Sequence, residues 1–96
     1  MKTPLRELGG EIRSVDLGDG VSRSAVWFTC PVCTGVVAGH YHIVPFGPEA
    51  TRVNGSLVWK HESGTTIDDI TLSPSYLVYT CNNLHGFVQN GHWVGC

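Results

Sequence analysis

The chain predicts a small, mostly β domain built from antiparallel hairpins, and three observations carry that expectation. Asp19-Gly20, Asn54-Gly55, Ser63-Gly64 and Asn90-Gly91 punctuate it with dipeptides suited to the positive φ of tight turns. Between them lie short segments such as Val26-Trp27-Phe28 and Tyr76-Leu77-Val78-Tyr79, whose β-branched and aromatic residues favour a pleated, half-buried surface. Third, Cys30-Pro31-Val32-Cys33 is followed far downstream by Cys81 and Cys96. A two-residue gap lets one turn present two thiolates to a tetrahedral ion, and later cysteines close the shell. The expected architecture is therefore a zinc-ribbon-like domain clamped by one structural Zn2+.

Ninety-six residues correspond to a single domain spanning 1–96. A chain this short buries a modest core, so a bound metal adds stability that packing alone does not supply. Charged residues are 15% and the net charge is −2. The cations Lys2, Arg6, Arg13, Arg23, Arg52 and Lys60 are scattered, whereas a nucleic-acid footprint needs a clustered basic face, so no nucleic acid is expected as a partner. No apolar run has the length of a membrane span and none follows Met1-Lys2-Thr3-Pro4, which predicts a cytoplasmic protein without a membrane partner. In that reducing compartment four cysteines read as metal ligands more readily than as two disulfides.

Residues 1–10 show no period and read as an N-terminal leader draped over the fold. Glu11 to Leu17 and Val21 to Thr29 form a hairpin about Asp19-Gly20, and the second strand delivers Cys30. Val36 to Val44 makes a third strand, whose His40 and His42 share one face. They could form a second metal site or an active-site wall; two half-exposed strand histidines is the more economical reading. Pro45 to Pro48 is expected to break this strand. Ser56 to His61 makes the fourth, and Thr65 to Leu72 runs extended towards Pro74. Tyr76 to Tyr79 then delivers Cys81. A terminal hairpin about Asn90-Gly91 places Gln89 opposite His92, Val88 opposite Trp93 and His85 opposite Cys96, which sets His85 beside the clamp.

The first choice of zinc ligands is Cys30, Cys33, Cys81 and Cys96. A rival set exchanges Cys96, a terminal residue prone to fray, for His85, since Cys-x3-His is also a workable spacing. Either set closes the coordination shell, which makes the ion structural.

Several segments together resemble a family of small prokaryotic and phage proteins. They are Cys30-Pro31-Val32-Cys33, Thr71-Leu72-Ser73-Pro74-Ser75, and Cys81 through His85-Gly86-Phe87-Val88 to Asn90-Gly91 and Cys96. The family pattern is a Cys-Pro knuckle, a T-L-x-P-S segment, a C…H-x-aromatic-(I/V)-x-x-G segment and a closing Cys. The resemblance spans Trp27 to Cys96. It departs at the histidine, where Leu84-His85-Gly86-Phe87 stands in place of Ser-His-Phe and one extra residue follows Cys81. Members occur beside bacterial ubiquitin-like conjugation genes. The resemblance implies a zinc-stabilised serine peptidase that processes or deconjugates a ubiquitin-like protein, with Ser75 as nucleophile and His85 as general base.

These roles also have a physical logic. A serine hydroxyl needs a base within hydrogen-bond reach, and an imidazole held near a rigid clamp suits the task. A carboxylate should orient that imidazole; Asp69 is the choice, ahead of Asp68 and Glu62. One geometric objection stands: a plain hairpin of residues 75–81 with 85–89 would leave Ser75 roughly 20 Å from His85 by strand rise. The alternative function is a non-catalytic zinc-ribbon-like adaptor that binds a protein partner through Trp59, Tyr76, Tyr79 and Trp93.

Overall fold

The computed structural model describes residues 2–31, 40–78 and 84–95. Ten strands are present among them: β1 (Lys2–Pro4), β2 (Glu11–Asp16), β3 (Ser22–Thr29), β4 (Tyr41–Gly47), β5 (Thr51–Val53), β6 (Ser56–Ser63), β7 (Thr71–Ser73), β8 (Tyr76–Val78), β9 (Leu84–Gln89) and β10 (His92–Gly95). One 3-10 turn, Leu5–Leu8, follows β1. The strands form two sheets. The first has the order β1-β10-β9-β8, and the second β2-β3-β4-β6-β5 with β7 also paired to β6. Pairing is antiparallel except for β4 with β6, which run parallel at Phe46↔Trp59 and Gly47↔Lys60. No described helix is long and apolar enough to cross a membrane.

One apolar core joins the sheets. Val26, Phe28, Cys30 and Val44 come from the larger sheet, and Leu84, Val88 and Trp93 from the smaller, all in one buried cluster. Period-two alternation explains the selection: Val26 and Phe28 in β3, and Cys30 just past its end, face inward. Phe28 and Trp93 meet across the sheets with ring centroids 5.6 Å apart. Each large apolar side chain buried in this way contributes about 1.5–3 kcal/mol of transfer free energy.

Asn54 and Gly55 have φ of 49° and 81°, and Val53 pairs with Ser56, as a two-residue turn requires. Asn90 and Gly91 repeat the arrangement, with Gln89 opposite His92 and Val88 opposite Trp93. The Asp19-Gly20 turn differs from expectation. The ladder closes at Asp16↔Ser22, and the Asp16 carboxylate accepts hydrogen bonds from the Gly18 N–H (2.7 Å) and Gly20 N–H (3.3 Å), stabilising a longer loop. Nor does Pro45 break its strand: it pairs with Ala25 inside β4. The second ladder of β4, to β6, is made at Phe46 and Gly47, past the proline that lacks a donor.

The expected leader is part of the fold. Lys2–Pro4 pairs with His92–Val94, Leu5 is fully buried, and Arg6 makes a bidentate pair with Asp68 at 2.8 and 2.7 Å. Gly91 is where these elements converge. Its N–H donates to the Ile70 carbonyl at 3.0 Å and its carbonyl accepts from the Leu5 N–H at 2.9 Å. Its φ is +75°, and a Cβ there would fall 2.2 Å from the Asp68 backbone. Gly91→Ala is expected to lose about 1–3 kcal/mol from backbone strain alone, read as a lower urea midpoint at an unchanged m-value.

Candidate active site and metal centre

Pro74 and Ser75 separate β7, in the larger sheet, from β8, in the smaller, and Ser75 immediately precedes β8. The Trp59 indole N–H, reaching across from β6, donates to the Ser75 carbonyl at 3.4 Å. β8 pairs with β9 as Tyr76↔Gly86, Leu77↔His85 and Val78↔Leu84. Ser75 and Leu77 therefore share the outer face with His85, while Tyr76 points into the core. Ser75 and His85 are diagonal neighbours, and the imidazole spans the gap. His85 Nε2 lies 3.1 Å from Ser75 Oγ. With the ring proton on Nδ1, the Ser75 hydroxyl donates to Nε2, the arrangement a general base needs. The objection raised by strand rise is removed by the register. β8 ends at Val78 and β9 begins at Leu84, which brings the two residues from six positions apart along the ladder to two.

The surroundings of the pair are open. His85 and Leu77 are exposed, and the Phe87 ring lies 6.4 Å from the imidazole. Between them Gly86 has a packing reason: a Cβ there would come within 2.6 Å of the Trp93 ring and 2.4 Å of the Val94 carbonyl. Gly86 thus leaves room for the indole beneath the histidine strand.

The carboxylates expected beside the imidazole are engaged elsewhere. Asp69 Oδ1 accepts from the Thr65 N–H (3.0 Å), the Thr66 N–H (2.8 Å) and the Thr66 hydroxyl (3.0 Å), and no hydrogen bond joins it to His85. The Thr66 bonds, backbone first, hold its pKa below the ordinary range. Asp68 is paired with Arg6. Glu62 accepts from the Ser73 hydroxyl at 2.8 Å, which keeps its pKa low, with Lys60 assisting. Among the described residues, Ser75 and His85 form a dyad.

The Cys30 part of the expected zinc clamp is described; Cys33, Cys81 and Cys96 lie outside the described residues. Among the described residues, His40 and His42 lie beside Cys30. The β3–β4 ladder ends at Thr29↔Tyr41, and the next step along sets Cys30 against His40, joined by a 3.0 Å bond from the Cys30 N–H to the His40 carbonyl. Donor atoms of Cys30, His40 and His42 all lie within 4.8 Å of one another, close enough to bind one metal ion. His85 is not in this group.

His42 is not half-exposed, as the reading of two half-exposed strand histidines had it, but 6% exposed and on the core face. Its Nδ1 lies 3.1 Å from the Tyr76 hydroxyl. Among the described residues, its Nε2 is buried without a hydrogen-bond partner. Burial first, and His40 second, push its pKa down to about 4, so the ring is neutral at pH 7. The sequence signal for this site is the H-x-H pair, already open to a metal-site reading, and the structure adds that His40 lies directly across from Cys30. A separate cleft of about 240 Å3, lined by Glu11, Arg13, Trp27 and Tyr41 among others, contains neither the dyad nor the Cys/His group.

No protein-family model matches the chain, and neither the curated proteins nor the solved structures contain a match.

Proposed function

We propose that this chain is a zinc-stabilised serine peptidase that processes or deconjugates a ubiquitin-like protein modifier. The observation that carries the reading is the 3.1 Å approach of Ser75 Oγ to His85 Nε2. The family resemblance supports it from the side of sequence. Ser75 attacks the peptide or isopeptide carbonyl carbon as its proton passes to His85 Nε2. His85 then gives that proton to the departing amine, leaving an ester on Ser75. Water, deprotonated by the same imidazole, hydrolyses the ester and restores the serine. The extended tail of the modifier adds beside β8, whose only ladder among the described residues is to β9. Leu77, 42% exposed beside the dyad, offers that tail an apolar contact. The Cys/His donor set suits zinc, which holds the scaffold. The setting is cytoplasmic, with the modifier as protein partner.

An adaptor that binds through aromatic side chains is less well supported. Trp59 and Trp93 are 8% and 1% exposed, and Tyr76 packs among Phe28, Trp59 and Trp93; Tyr79 lies outside the described residues. The test is labelling of the full chain by a fluorophosphonate probe, together with cleavage of ubiquitin-like proteins bearing C-terminal extensions. The parent is expected to label and cleave, and Ser75→Ala to do neither. A parent that neither labels nor cleaves, or a Ser75→Ala variant that labels like the parent, overturns the proposal.

A further inference from the structure

We propose that Cys30, His40 and His42 together hold the metal ion, with His42 ligating through Nε2 and the Tyr76 hydroxyl holding the other side of its ring. Such a site is a mixed thiolate–imidazole centre on the β3–β4 hairpin, distinct from the four-cysteine clamp that residue spacing suggests.

Three independent features converge. The three donors already lie within 4.8 Å of one another. Zn–S near 2.3 Å and Zn–N near 2.0–2.1 Å separate tetrahedral donors by roughly 3.5 Å, so modest side-chain closure completes the contact. Second, the inward His42 Nε2 is a buried polar atom with no hydrogen-bond partner among the described residues. Leaving such an atom unsatisfied is unfavourable, and a metal ion is a partner that removes this cost. Third, ligating histidines characteristically engage their second ring nitrogen, which fixes the tautomer and orientation. His42 has this feature in the 3.1 Å contact of Nδ1 with Tyr76. Metal on Nε2 leaves the proton on Nδ1, which then donates to the tyrosine oxygen. The ring is also fixed by packing, with centroids 5.6 Å from Phe28 and 5.4 Å from Tyr76.

The arrangement links two parts of the molecule. Tyr76 follows Ser75 in the chain and sits on the opposite face of the same strand. The ion would thus anchor, through one imidazole and one hydroxyl, the strand that presents Ser75.

The experiment reads the metal and not hydrolysis, so it stands or falls apart from the peptidase reading. The full chain is loaded with cadmium-113, and through-bond correlations from the ion to protein protons are recorded. Correlations to the Cys30 β-protons and to ring protons of both His40 and His42, with the His42 pattern that of Nε2 ligation, are expected. Correlations to cysteine β-protons only, with none to either histidine, overturn the site. Zinc affinity is measured alongside by chelator competition. His42→Ala is expected to lose zinc, and Tyr76→Phe to bind it about 10–100-fold more weakly. A Tyr76→Phe variant with the parent's affinity overturns the role given to the tyrosine. Should His42→Ala not fold, the correlations on the parent decide.

Discussion

Phe28→Ala is expected to cost about 3–5 kcal/mol, the usual range for deleting a fully buried aromatic ring. Phe28 is 1% exposed. Its ring meets His42 at 5.6 Å, Tyr76 at 6.4 Å and Trp93 at 5.6 Å between centroids. The cavity would therefore open where the two sheets meet, and several aromatic neighbours would lose their common contact at once. Domains of ordinary stability have only about 5–15 kcal/mol in total, so the variant is left with a small margin. Urea unfolding of parent and variant measures the difference. A loss below about 1 kcal/mol would mean that the sheets do not share a core at this ring.

His85→Ala has the second large expected effect, and it falls on rate. Removing a general base typically lowers turnover by about 10²–10⁴-fold, and the expected loss in kcat/KM for cleavage of an extended ubiquitin-like protein lies in that range. Stability should barely move, because His85 is exposed on the outer face and surface substitutions usually stay within about 0.5 kcal/mol. The two readouts separate the roles weighed for this residue. An unchanged melting temperature with lost cleavage fits a base. Loss of zinc and of folding together would instead make His85 a ligand, as the Cys-x3-His spacing allowed.

The sequence was most legible where chemistry is local. Asn54-Gly55 and Asn90-Gly91 could be read as two-residue turns because positive φ at both positions is a demand few residue pairs meet. Asp19-Gly20 has the same composition, yet a carboxylate three residues upstream caps a wider loop instead. Leu5 shows no period with its neighbours, so nothing local marks it as core; it is buried because β1 pairs with the far end of the chain. The Ser75 and His85 side chains were nameable from motifs, but their meeting depends on the β8–β9 register, which the intervening residues do not encode visibly. The burial of His42 is hidden from the sequence for a related reason. An H-x-H pair fixes a shared face, and whether that face points to solvent or core is decided by the opposing strand, here Phe28 and Cys30.

The alternation along β8 carries one further consequence. Ser75 and Tyr76 are adjacent, one facing His85 outside and the other facing His42 inside. A slip of this short strand by a single residue would exchange the two faces. The hydroxyl would turn inward and the phenol outward in the same movement, breaking both partnerships together. Alignment of the pair and attachment to the inner histidine thus share one determinant, the register of β8 on β9.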